Sequence, residues 1–522
     1  MGRHQSGAST THRKELQEQM TGIRKVAVCG AGGTMGAGIA LVAARGGFET
    51  IRFDKSGEAL QRSRKAGEKF FNKSVERGRM TQEDCDAALG RMSDTSDLSD
   101  LADCDLVIEA IYESLDVKQA LFSELNGICK TDTIFASNTS TLSITQIASG
   151  CGREDRVVGM HFCLPAELMR LIEMSRGLNT SDDTFKAAWA WTEASAQLPV
   201  ETQDKPGFIL NALLVPFNND VIRAIEAGLA TPEDIDVAIK SGLGYKMGPC
   251  TLLDLIGLDT QILLGEAFYP ITLDRRASVP PLLRRMVAAG KLGNKSGQGF
   301  LSGVTSARAE SAPAFEIVQR GESRSFPAGD DFMSRADDTG EVRIHLGGGY
   351  APDASKATVL VELDTECLGV HAGEDMGREG SNAVGFARYR NGNDAPSKLI
   401  ELVRQPNTDA AALATARAVF ETAGFDVAVC TDQPGRIIDR LVRPKYNDAL
   451  RFLDEGLASA EDMDKTCRLG LGYPDGPIER VTRGDLARHY DVTTAIFKMT
   501  GLPGFAPGRR AVVAKAREGR GH

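Results

Sequence analysis

The sequence lacks the patterns of metal-binding and disulfide-bonded proteins. Its ten cysteines are scattered, with no C-x-x-C pair and no Cys/His cluster at the spacing of a zinc site. We therefore expect no bound metal and a reducing, cytoplasmic compartment. No apolar run is long enough to cross a bilayer, and residues 1–22 are polar, without the apolar core of a signal peptide. These absences predict a cytoplasmic protein with no membrane partner and a disordered tail over residues 1–22.

Long blocks of one charge are also absent. The chain has 61 lysine and arginine residues against 71 aspartate and glutamate residues, a net charge of −10. Bulk attraction to nucleic acid is not indicated, so any anionic ligand must be held by local groups. The length of 522 residues is enough for three to four domains, each with its own core.

Short apolar runs alternate with amphipathic stretches in the first part of the chain. The runs resemble buried strands and cover residues 26–29, 50–53, 106–108, 134–136 and 157–159. Several stretches between them, such as residues 117–125, have helical periodicity. This alternation predicts a Rossmann-type α/β domain with a doubly wound parallel sheet over residues 23–204.

The pattern becomes helical after Pro206-Gly207. Residues 208–227 have a long apolar face, and Thr231-Pro232 opens another helix with a cap and a proline in the first turn. We expect an all-α domain over residues 205–301. Residues 302–340 are rich in serine, alanine, arginine and aspartate, which favours a linker.

The helical domain is repeated near the C-terminus. Residues 434–477 align without a gap on residues 206–249 at an offset of 228. The matching pairs are Asn219/Asn447, Gly228/Gly456, Glu233/Glu461, Asp234/Asp462, Asp236/Asp464, Gly242/Gly470 and Gly244/Gly472.

The repeat predicts two further domains. The first is a truncated Rossmann-like remnant over residues 341–431, because this piece is too short for a whole nucleotide domain and Gly347-Gly348-Gly349 precedes no amphipathic helix. The second is a duplicated all-α domain over residues 432–522, without catalytic activity. We expect the two helical copies to pair as an internal pseudo-dimer, and further homo-oligomers stay open.

A glycine-rich turn follows the first predicted strand. Between a strand and a helix, glycine lets the backbone approach a pyrophosphate, which the helix N-terminus can bind. The G-x-G-x-x-x-G spacing is one residue longer than the usual fingerprint, and a plain tight turn is the alternative. The residues of this turn that we expect at the cofactor are Gly30, Gly32, Gly33, Thr34, Met35 and Gly36.

Asp54 ends the second apolar run, 24 residues after Gly30. A carboxylate at this place would accept hydrogen bonds from both hydroxyls of an adenosine ribose and repel a 2′-phosphate. Together with the glycine-rich turn, Asp54 predicts binding of NAD rather than NADP.

His161 is the only histidine between the N-terminal tail and His345. Imidazole titrates closest to neutrality, so it suits the removal of a hydroxyl proton during alcohol oxidation. Two strands running past each other could bring Glu173 against His161 and fix its tautomer. A buried salt bridge without catalysis is the alternative.

Two polar residues stand where a substrate could be bound. Ser140 follows a predicted strand, at the sheet edge where ligands of such folds bind, although it could instead cap the next helix. Asn211 lies early in the helix after Pro206-Gly207, where its amide could reach the substrate or close a capping turn.

These residues together resemble the 3-hydroxyacyl-CoA dehydrogenase family over residues 23–300. The resemblance implies NAD-dependent oxidation of an (S)-3-hydroxyacyl-CoA to a 3-oxoacyl-CoA, in fatty-acid or aromatic-compound degradation. The runs that carry it include Gly-Thr-Met-Gly-Ala-Gly-Ile-Ala (33–40), Val-Ile-Glu-Ala (107–110), Ser-Asn-Thr-Ser (137–140), His-Phe (161–162), Pro-Gly-Phe (206–208), Asp-Leu-Ile-Gly-Leu-Asp (254–259) and Lys-Ser-Gly-Gln-Gly-Phe (295–300).

The resemblance also implies residue roles. His161 is the general base and Glu173 its partner, while Ser140 and Asn211 bind the substrate hydroxyl or the thioester carbonyl. The residues implied at the cofactor are Glu113, Lys118, Ser140 and Lys295.

The sequence departs from the family near His161. The family's usual His-Phe-Phe-Asn-Pro is here His161-Phe162-Cys163-Leu164-Pro165, so Leu164 replaces an amide. This change makes the usual substrate range less secure. A dehydrogenase of a free 3-hydroxy acid and a nucleotide-binding protein without catalysis stay open as alternatives.

Overall fold

The computed structural model describes residues 22–303, 311–374 and 380–519, so the expected disordered tail lies almost wholly outside the described residues. The chain forms two compact units. The first contains residues up to Ala212 together with Gly456–Leu471, and the second contains Leu213–Glu455 and the residues from Gly472 onward. No helix in the described part of the chain is both long and apolar enough to cross a membrane.

An eight-stranded sheet forms the centre of the first unit. Its strands are β1 (Lys25–Cys29), β2 (Glu49–Phe53), β3 (Met92–Thr95), β4 (Leu106–Glu109), β5 (Ile134–Ser137), β6 (Val157–Phe162), β7 (Leu171–Arg176) and β8 (Leu198–Gln203). The spatial order is β3-β2-β1-β4-β5-β6-β7-β8. All neighbours are parallel except β6 and β7. The strand order reverses between β1 and β4, the place where such sheets bind ligands.

Helices cover both faces of this sheet. They are α1 (Thr34–Arg45), α2 (Gly57–Glu76), α3 (Gln82–Gly90), α4 (Leu115–Asn126), α5 (Ile144–Ala148) and α6 (Asp182–Ala194). Successive β1 side chains point to opposite faces: Val28 packs in one core with α1 and α6, and Cys29 in another with α4 and α5. The prediction of a Rossmann-type sheet is confirmed.

A six-stranded sheet lies in the second unit, in the order β14-β13-β12-β11-β10-β9. Its strands are β9 (Phe315–Gln319), β10 (Val342–Leu346), β11 (Thr358–Glu362), β12 (Ala383–Arg388), β13 (Leu399–Arg404) and β14 (Asp426–Thr431). Only β12 and β13 are antiparallel neighbours. The strand directions therefore repeat those of β1, β4, β5, β6, β7 and β8. Among the described residues, nothing corresponds to β2, β3 or the glycine-rich turn.

The expectation of a linker over residues 302–340 is wrong from Phe315 onward. Strand β9 pairs with β10, and Phe315, Phe326 and Phe332 are buried in the core of the second sheet. The ring centroids of Phe326 and Phe332 are 4.5 Å apart. These aromatic residues are separated by glycine, serine and aspartate, so the local composition hides the strand. Residues 304–310 lie outside the described residues.

The remaining helices come from the two helical copies and from the second sheet. The first copy contributes α7 (Leu210–Glu226), α8 (Pro232–Leu243), α9 (Pro249–Ile256), α10 (Leu258–Thr272) and α11 (Pro281–Ala288). The others are α12 (Gly369–Ala372), α13 (Ala410–Thr422), α14 (Ile438–Asp454), α15 (Ala460–Leu471), α16 (Pro477–Arg483), α17 (Leu486–Thr500) and α18 (Arg509–Arg517). As predicted, Thr231 caps α8, and its Oγ1 accepts from the N–H of Asp234 at 3.1 Å.

Equivalent helices of the two copies pack on equivalent strands of the two sheets. In the first unit α15 packs on β7 and β8, and the N–H of Gln203 donates to the carbonyl of Leu457 at 2.9 Å. In the second unit α8 packs on β13 and β14, and the N–H of Thr431 donates to the carbonyl of Leu229 at 2.8 Å. Each helical copy thus contributes this helix to the sheet that precedes the other copy in the chain.

Candidate active site

His161 and Glu173 face each other on the antiparallel strands β6 and β7. The Nδ1–H of His161 donates to Glu173 Oε2 at 2.7 Å, and both side chains are buried. The predicted contact between these two residues is confirmed. Because Nδ1 carries the proton, the Nε2 lone pair of His161 is free to accept one.

The second carboxylate oxygen of Glu173 binds the start of helix α7. Glu173 Oε1 accepts from the N–H groups of Ile209 and Leu210, both at 2.9 Å. The first N–H groups of a helix have no partner within the helix, and its dipole favours a negative charge there. The buried charge of Glu173 is therefore compensated from both sides, and the imidazole is held in one orientation.

Ser140 lies on the open side of the imidazole. Its Oγ is 3.2 Å from His161 Nε2, and the residue is half-buried. The alternative role of Ser140 as a helix cap does not apply, because Ser143 caps α5 and accepts from the N–H of Gln146 at 3.2 Å. The hydroxyl of Ser140 therefore stands beside the one nitrogen of His161 that can take a proton.

Glu113 holds the loop that carries Ser140. Its Oε1 accepts from the hydroxyl of Thr139 at 2.6 Å and from the N–H groups of Ser140 at 2.9 Å and Thr141 at 3.1 Å. Burial opposes the ionisation of Glu113, but the nearby Lys118 ammonium and these hydrogen bonds outweigh it, so the pKa of the carboxyl lies below its usual value. Glu113 is charged at neutral pH and fixes the loop.

Lys118 is fully buried beneath this loop. Its Nζ donates to both oxygens of Glu109, at 2.9 and 2.8 Å, and lies 3.2 Å from Glu113 Oε2. Glu109 also accepts a short hydrogen bond from the hydroxyl of Ser137. The ammonium is therefore held by two carboxylates. Its expected role at the cofactor stays a prediction.

The glycine-rich turn lies between β1 and α1, as predicted. Gly30 has a φ of +87°, and a Cβ at this position would lie 2.5 Å from the carbonyl oxygen of Ala110. A Cβ at Gly36 would lie 2.3 Å from the carbonyl oxygen of Gly30. Among the described side chains none caps α1, whose first turn contains no acidic residue. The N-terminus of α1 can therefore bind an anion such as a pyrophosphate.

Asp54 lies directly after β2, next to the glycine-rich turn. Its Oδ2 accepts from the N–H of Gly32 at 3.0 Å, and its Oδ1 accepts from the N–H of Ser56 at 2.9 Å. These bonds fix the carboxylate beside the turn, where it fits the ribose role that the sequence predicts.

Asn211 and Lys295 are the two remaining predicted site residues. Asn211 is buried in the first turn of α7, next to Leu210, which binds Glu173. Lys295 belongs to the second unit, where its ammonium binds Asp259 at 2.8 Å and Thr260 at 3.1 Å. Their expected roles stay predictions.

Sequence reasoning assigned no role to Glu109 or Asn138. The side chain of Asn138 accepts from the N–H of Phe162 at 2.8 Å and so fixes the end of β6 beside His161. Both residues lie in sequence runs that carry the family resemblance, and these runs could have indicated that the two residues belong to the site. The departure at Leu164 lies just beyond β6, and its side chain is 58% exposed.

The equivalent place in the second unit lacks the imidazole. Ala387 pairs with Glu401 in the register that His161 and Glu173 have. Glu401 still accepts from the N–H groups of Ile437 and Ile438, at 2.9 and 3.0 Å. Its other oxygen accepts from Arg436 Nε at 3.2 Å, so a guanidinium takes the place of the imidazole as its partner.

A Rossmann-type sheet with an open helix N-terminus after a glycine-rich turn, together with a paired histidine at the sheet edge, defines a nicotinamide-dependent dehydrogenase. Comparison with known families agrees. Residues 25–205 match the model described as "3-hydroxyacyl-CoA dehydrogenase, NAD binding domain". Residues 207–303 and 435–521 each match the model of the C-terminal domain of the same family. The chain belongs to the 3-hydroxyacyl-CoA dehydrogenase family and is an NAD-dependent oxidoreductase.

Individual relatives cover either the first half or nearly the whole chain. A probable 3-hydroxybutyryl-CoA dehydrogenase of Deinococcus radiodurans is 44% identical over 53% of this chain and 99% of its own length. The 3-hydroxyadipyl-CoA dehydrogenase of Escherichia coli is 34% identical over 88% of this chain and 90% of its own. A crystal structure of 3-hydroxybutyryl-CoA dehydrogenase from Escherichia coli, 30% identical, superposes with a TM-score of 0.76 and covers 95% of this chain and 99% of its own.

Proposed function

We propose that the protein oxidises an (S)-3-hydroxyacyl-CoA to the corresponding 3-oxoacyl-CoA, with His161 as the general base. The observation that carries this proposal is the position of the imidazole. Its Nδ1–H is held by Glu173, and its Nε2 faces the hydroxyl of Ser140 at 3.2 Å. A base with a fixed tautomer and one open nitrogen is what the removal of a hydroxyl proton requires.

The glycine-rich turn and Asp54 would hold the cofactor. The N–H groups at the start of α1 suit the pyrophosphate, and the carboxylate of Asp54 suits the adenosine ribose. NAD bound there would supply the acceptor for the hydride from C3 of the substrate.

The substrate hydroxyl would lie between His161 and Ser140. His161 Nε2 takes the hydroxyl proton, and the negative charge of Glu173 stabilises the imidazolium that forms. Ser140 would bind the same oxygen and orient it. Its position depends on Glu113, whose carboxylate accepts from the N–H of Ser140 at 2.9 Å. Asn211, in the first turn of α7, would bind the hydroxyl or the thioester carbonyl.

The C-terminal half would be catalytically silent and serve as an internal partner. In its copy of the site Ala387 replaces His161 by strand register, and Asp439, which stands at the position of Asn211, accepts from Arg443 at 2.7 Å. These substitutions remove the base and bury the remaining charges in ion pairs. We propose that the chain has one active site, formed by residues of the first half.

The pairing of the two helical copies as a pseudo-dimer is supported by contacts within the second unit. Tyr245 and Tyr473 are equivalent residues of the two copies, and their rings stack with centroids 3.7 Å apart. Residues close to a two-fold axis meet their own equivalents in this way. The ammonium of Lys445 on α14 also lies 4.7 Å from the ring centroid of Phe217 on α7. Further oligomers of the whole chain stay a prediction.

The acyl group is the least defined part of the substrate. The names of the two relatives point to a short acyl chain in one and a dicarboxylic chain in the other. The exposed Leu164 replaces the family's amide near His161, which removes one polar group from this region. A cytoplasmic location and a place in fatty-acid or aromatic-compound degradation also stay predictions.

NADH-linked rates over a panel of substrates test the proposal. We expect turnover of acetoacetyl-CoA and none of free acetoacetate at the same concentration. Comparable rates with the free acid would instead favour a dehydrogenase of free 3-hydroxy acids, and NADH binding without turnover would favour a non-catalytic nucleotide-binding protein. Straight-chain and dicarboxylic 3-oxoacyl-CoA substrates in the same panel then define the acyl group.

A further inference from the structure

Two equivalent aspartates meet at one arginine in the second unit. Asp220 on α7 and Asp448 on α14 occupy the same position of the two helical copies, 228 residues apart. The Nε of Arg276 donates to Asp220 Oδ2 at 2.8 Å, and its Nη1 donates to Asp448 Oδ2 at 2.6 Å. The side chain of Arg276 is 15% exposed. A single guanidinium from the first copy therefore bridges an acid of each copy.

The second copy has glycine where the first has Arg276. Asn219 Nδ2 donates to the carbonyls of Arg276 and Ala277, both at 3.0 Å. Its equivalent Asn447 donates to the carbonyl of Gly504 at 2.9 Å and to that of Ala506 at 3.1 Å. These matching bonds align the two turns, so Gly504 is the structural equivalent of Arg276.

Gly504 provides the space through which the arginine passes. A Cβ at this position would lie 3.1 Å from Arg276 Cδ and 3.4 Å from Pro444 Cβ. The φ of Gly504 is not positive, so the backbone itself would accept another residue. A side chain at this position would crowd the side chain of Arg276, which fills the space beside Gly504.

The other charges around the two acids are duplicated. Arg223 lies 3.6 Å from Asp220, and its equivalent Arg451 lies 3.3 Å from Asp448. Of the three arginines ion-paired with the two acids, only Arg276 has no equivalent arginine in the other copy. A pair of two first copies would bring two Arg276 side chains into one space, and a pair of two second copies would bring two Asp448 carboxylates together without a bridging cation. Like charges brought together in a largely buried place oppose association.

We propose that Arg276 and Gly504 make the interface between the helical copies selective for unlike copies. The partner that this surface fits is the other helical copy and not a second copy of the same kind. Selective pairing keeps the two halves of a chain together and disfavours pairing of like halves between chains.

Moving the arginine from one copy to the other tests the proposal in the full-length chain. Arg276→Gly should lower Tm by about 4 °C or more, because two largely buried carboxylates lose their shared cation. Gly504→Arg should also lower Tm, because the side chain of Arg276 already fills the space beside Gly504. The double variant Arg276→Gly/Gly504→Arg should regain most of the lost Tm, since the guanidinium then enters from the equivalent side of the pseudo-two-fold axis.

Two single variants control for the substitutions themselves. Arg275→Gly places a glycine in the same short turn at an exposed arginine, and Gly90→Arg places an arginine at the exposed last residue of α3, where a Cβ meets open space. Both should stay within about 1 °C of the wild type, as surface substitutions usually do.

Three results would overturn the proposal. The first is a double variant whose Tm loss equals the sum of the two single losses. The second is a Gly504→Arg variant as stable as Gly90→Arg. The third comes from Arg276→Gln, which keeps most of the side-chain packing: an unchanged Tm would show that the bridging charge has no role. Light scattering supplies a further readout, because Gly504→Arg removes the difference between the copies and should increase association between chains relative to the wild type.

Discussion

Glu173 binds His161 with one carboxylate oxygen and the start of helix α7 with the other. The bond to His161 Nδ1 is 2.7 Å long, and the bonds from the N–H groups of Ile209 and Leu210 are 2.9 Å. The same carboxylate thus sets the tautomer of the base and anchors the first helix after the Rossmann-type sheet. Substitutions of Glu173 can separate these two effects.

Glu173→Gln should reduce kcat by about 10²- to 10⁴-fold, because the tautomer of His161 would be reversed. The amide oxygen can still accept from Ile209 and Leu210, but its NH2 group then faces Nδ1. Nδ1 becomes an acceptor, and the proton moves to Nε2, where it blocks the removal of the substrate proton. Steady-state rates with acetoacetyl-CoA and NADH measure this effect, and the pH–rate profile should move as well.

Glu173→Ala is the matched control for this prediction. It removes both bonds, so it should lower kcat and also the thermal stability, whereas Glu173→Gln should keep a Tm close to that of the wild type. Equal losses of Tm in the two variants, with wild-type kcat in Glu173→Gln, would show that Glu173 has a structural role only.

Asp54→Ala should weaken NADH binding by about tenfold and narrow the preference for NADH over NADPH, because the ribose loses its acceptor and the 2′-phosphate its repulsion. The substitution also removes the bond to the N–H of Gly32. Asp54→Asn separates the two effects, since its amide oxygen can keep that bond without the charge. A wild-type protein that already prefers NADPH in fluorescence titrations would contradict the assignment of Asp54.

Glu113→Gln should lower kcat by about tenfold, because Ser140 and its loop lose a charged anchor. Lys118 would keep only Glu109 as a charged partner. Glu58→Gln, a change at an exposed glutamate of α2, is the control and should have no effect on the rate. A Glu113→Gln rate equal to that of the control would exclude a positioning role.

The acid sensitivity of the protein tests the same carboxylate. The folded-state pKa of Glu113 lies below its usual value, so its stabilising effect is present above that value and is lost as the pH falls through the folded-state pKa. The wild type should therefore lose Tm more steeply than Glu113→Gln between about pH 5 and pH 3, because an unperturbed glutamate titrates near 4.3. Parallel pH–Tm curves of the two proteins would contradict the lowered pKa of Glu113.

The silent second site predicts one NADH per intact chain. Calorimetric titration should give a stoichiometry of one, and a second NADH per chain would contradict the proposal.

Deletion of residues 304–522 tests the role of the second half, because it removes α15 and the partner of Gln203 in the first unit. The truncated protein should aggregate or form a new dimer, because apolar surface becomes exposed. A fully active monomer after truncation would contradict the role of the second half as an internal partner.

The sequence alone predicted those elements whose local pattern of residues follows a simple physical rule. The apolar runs predicted strands β1, β2, β4, β5 and β6, and Thr231-Pro232 predicted the start of α8. The pairing of His161 with Glu173 followed from two strands at the right separation, because antiparallel neighbours bring such residues face to face.

Long-range contacts between isolated residues could not be predicted in this way. Strand β9 is short and lies in a polar segment, and its place in the sheet depends on pairing with β10. The bridging position of Arg276 depends on the packing of the two helical copies against each other and on the small residue at Gly504. Neither feature distinguishes this arginine from others in the sequence. The buried pairing of Lys118 with Glu109 needed the packing of α4 beneath the loop.

The most direct test of the account compares the wild type with His161→Gln in two measurements on the same samples. The rate of NADH oxidation with acetoacetyl-CoA should fall by about 10²- to 10⁴-fold, because the general base is lost. NADH affinity, measured by fluorescence titration, should stay close to that of the wild type, because the proposed cofactor contacts lie in the glycine-rich turn and at Asp54. An unchanged turnover in His161→Gln would contradict the central claim that this imidazole performs the proton transfer.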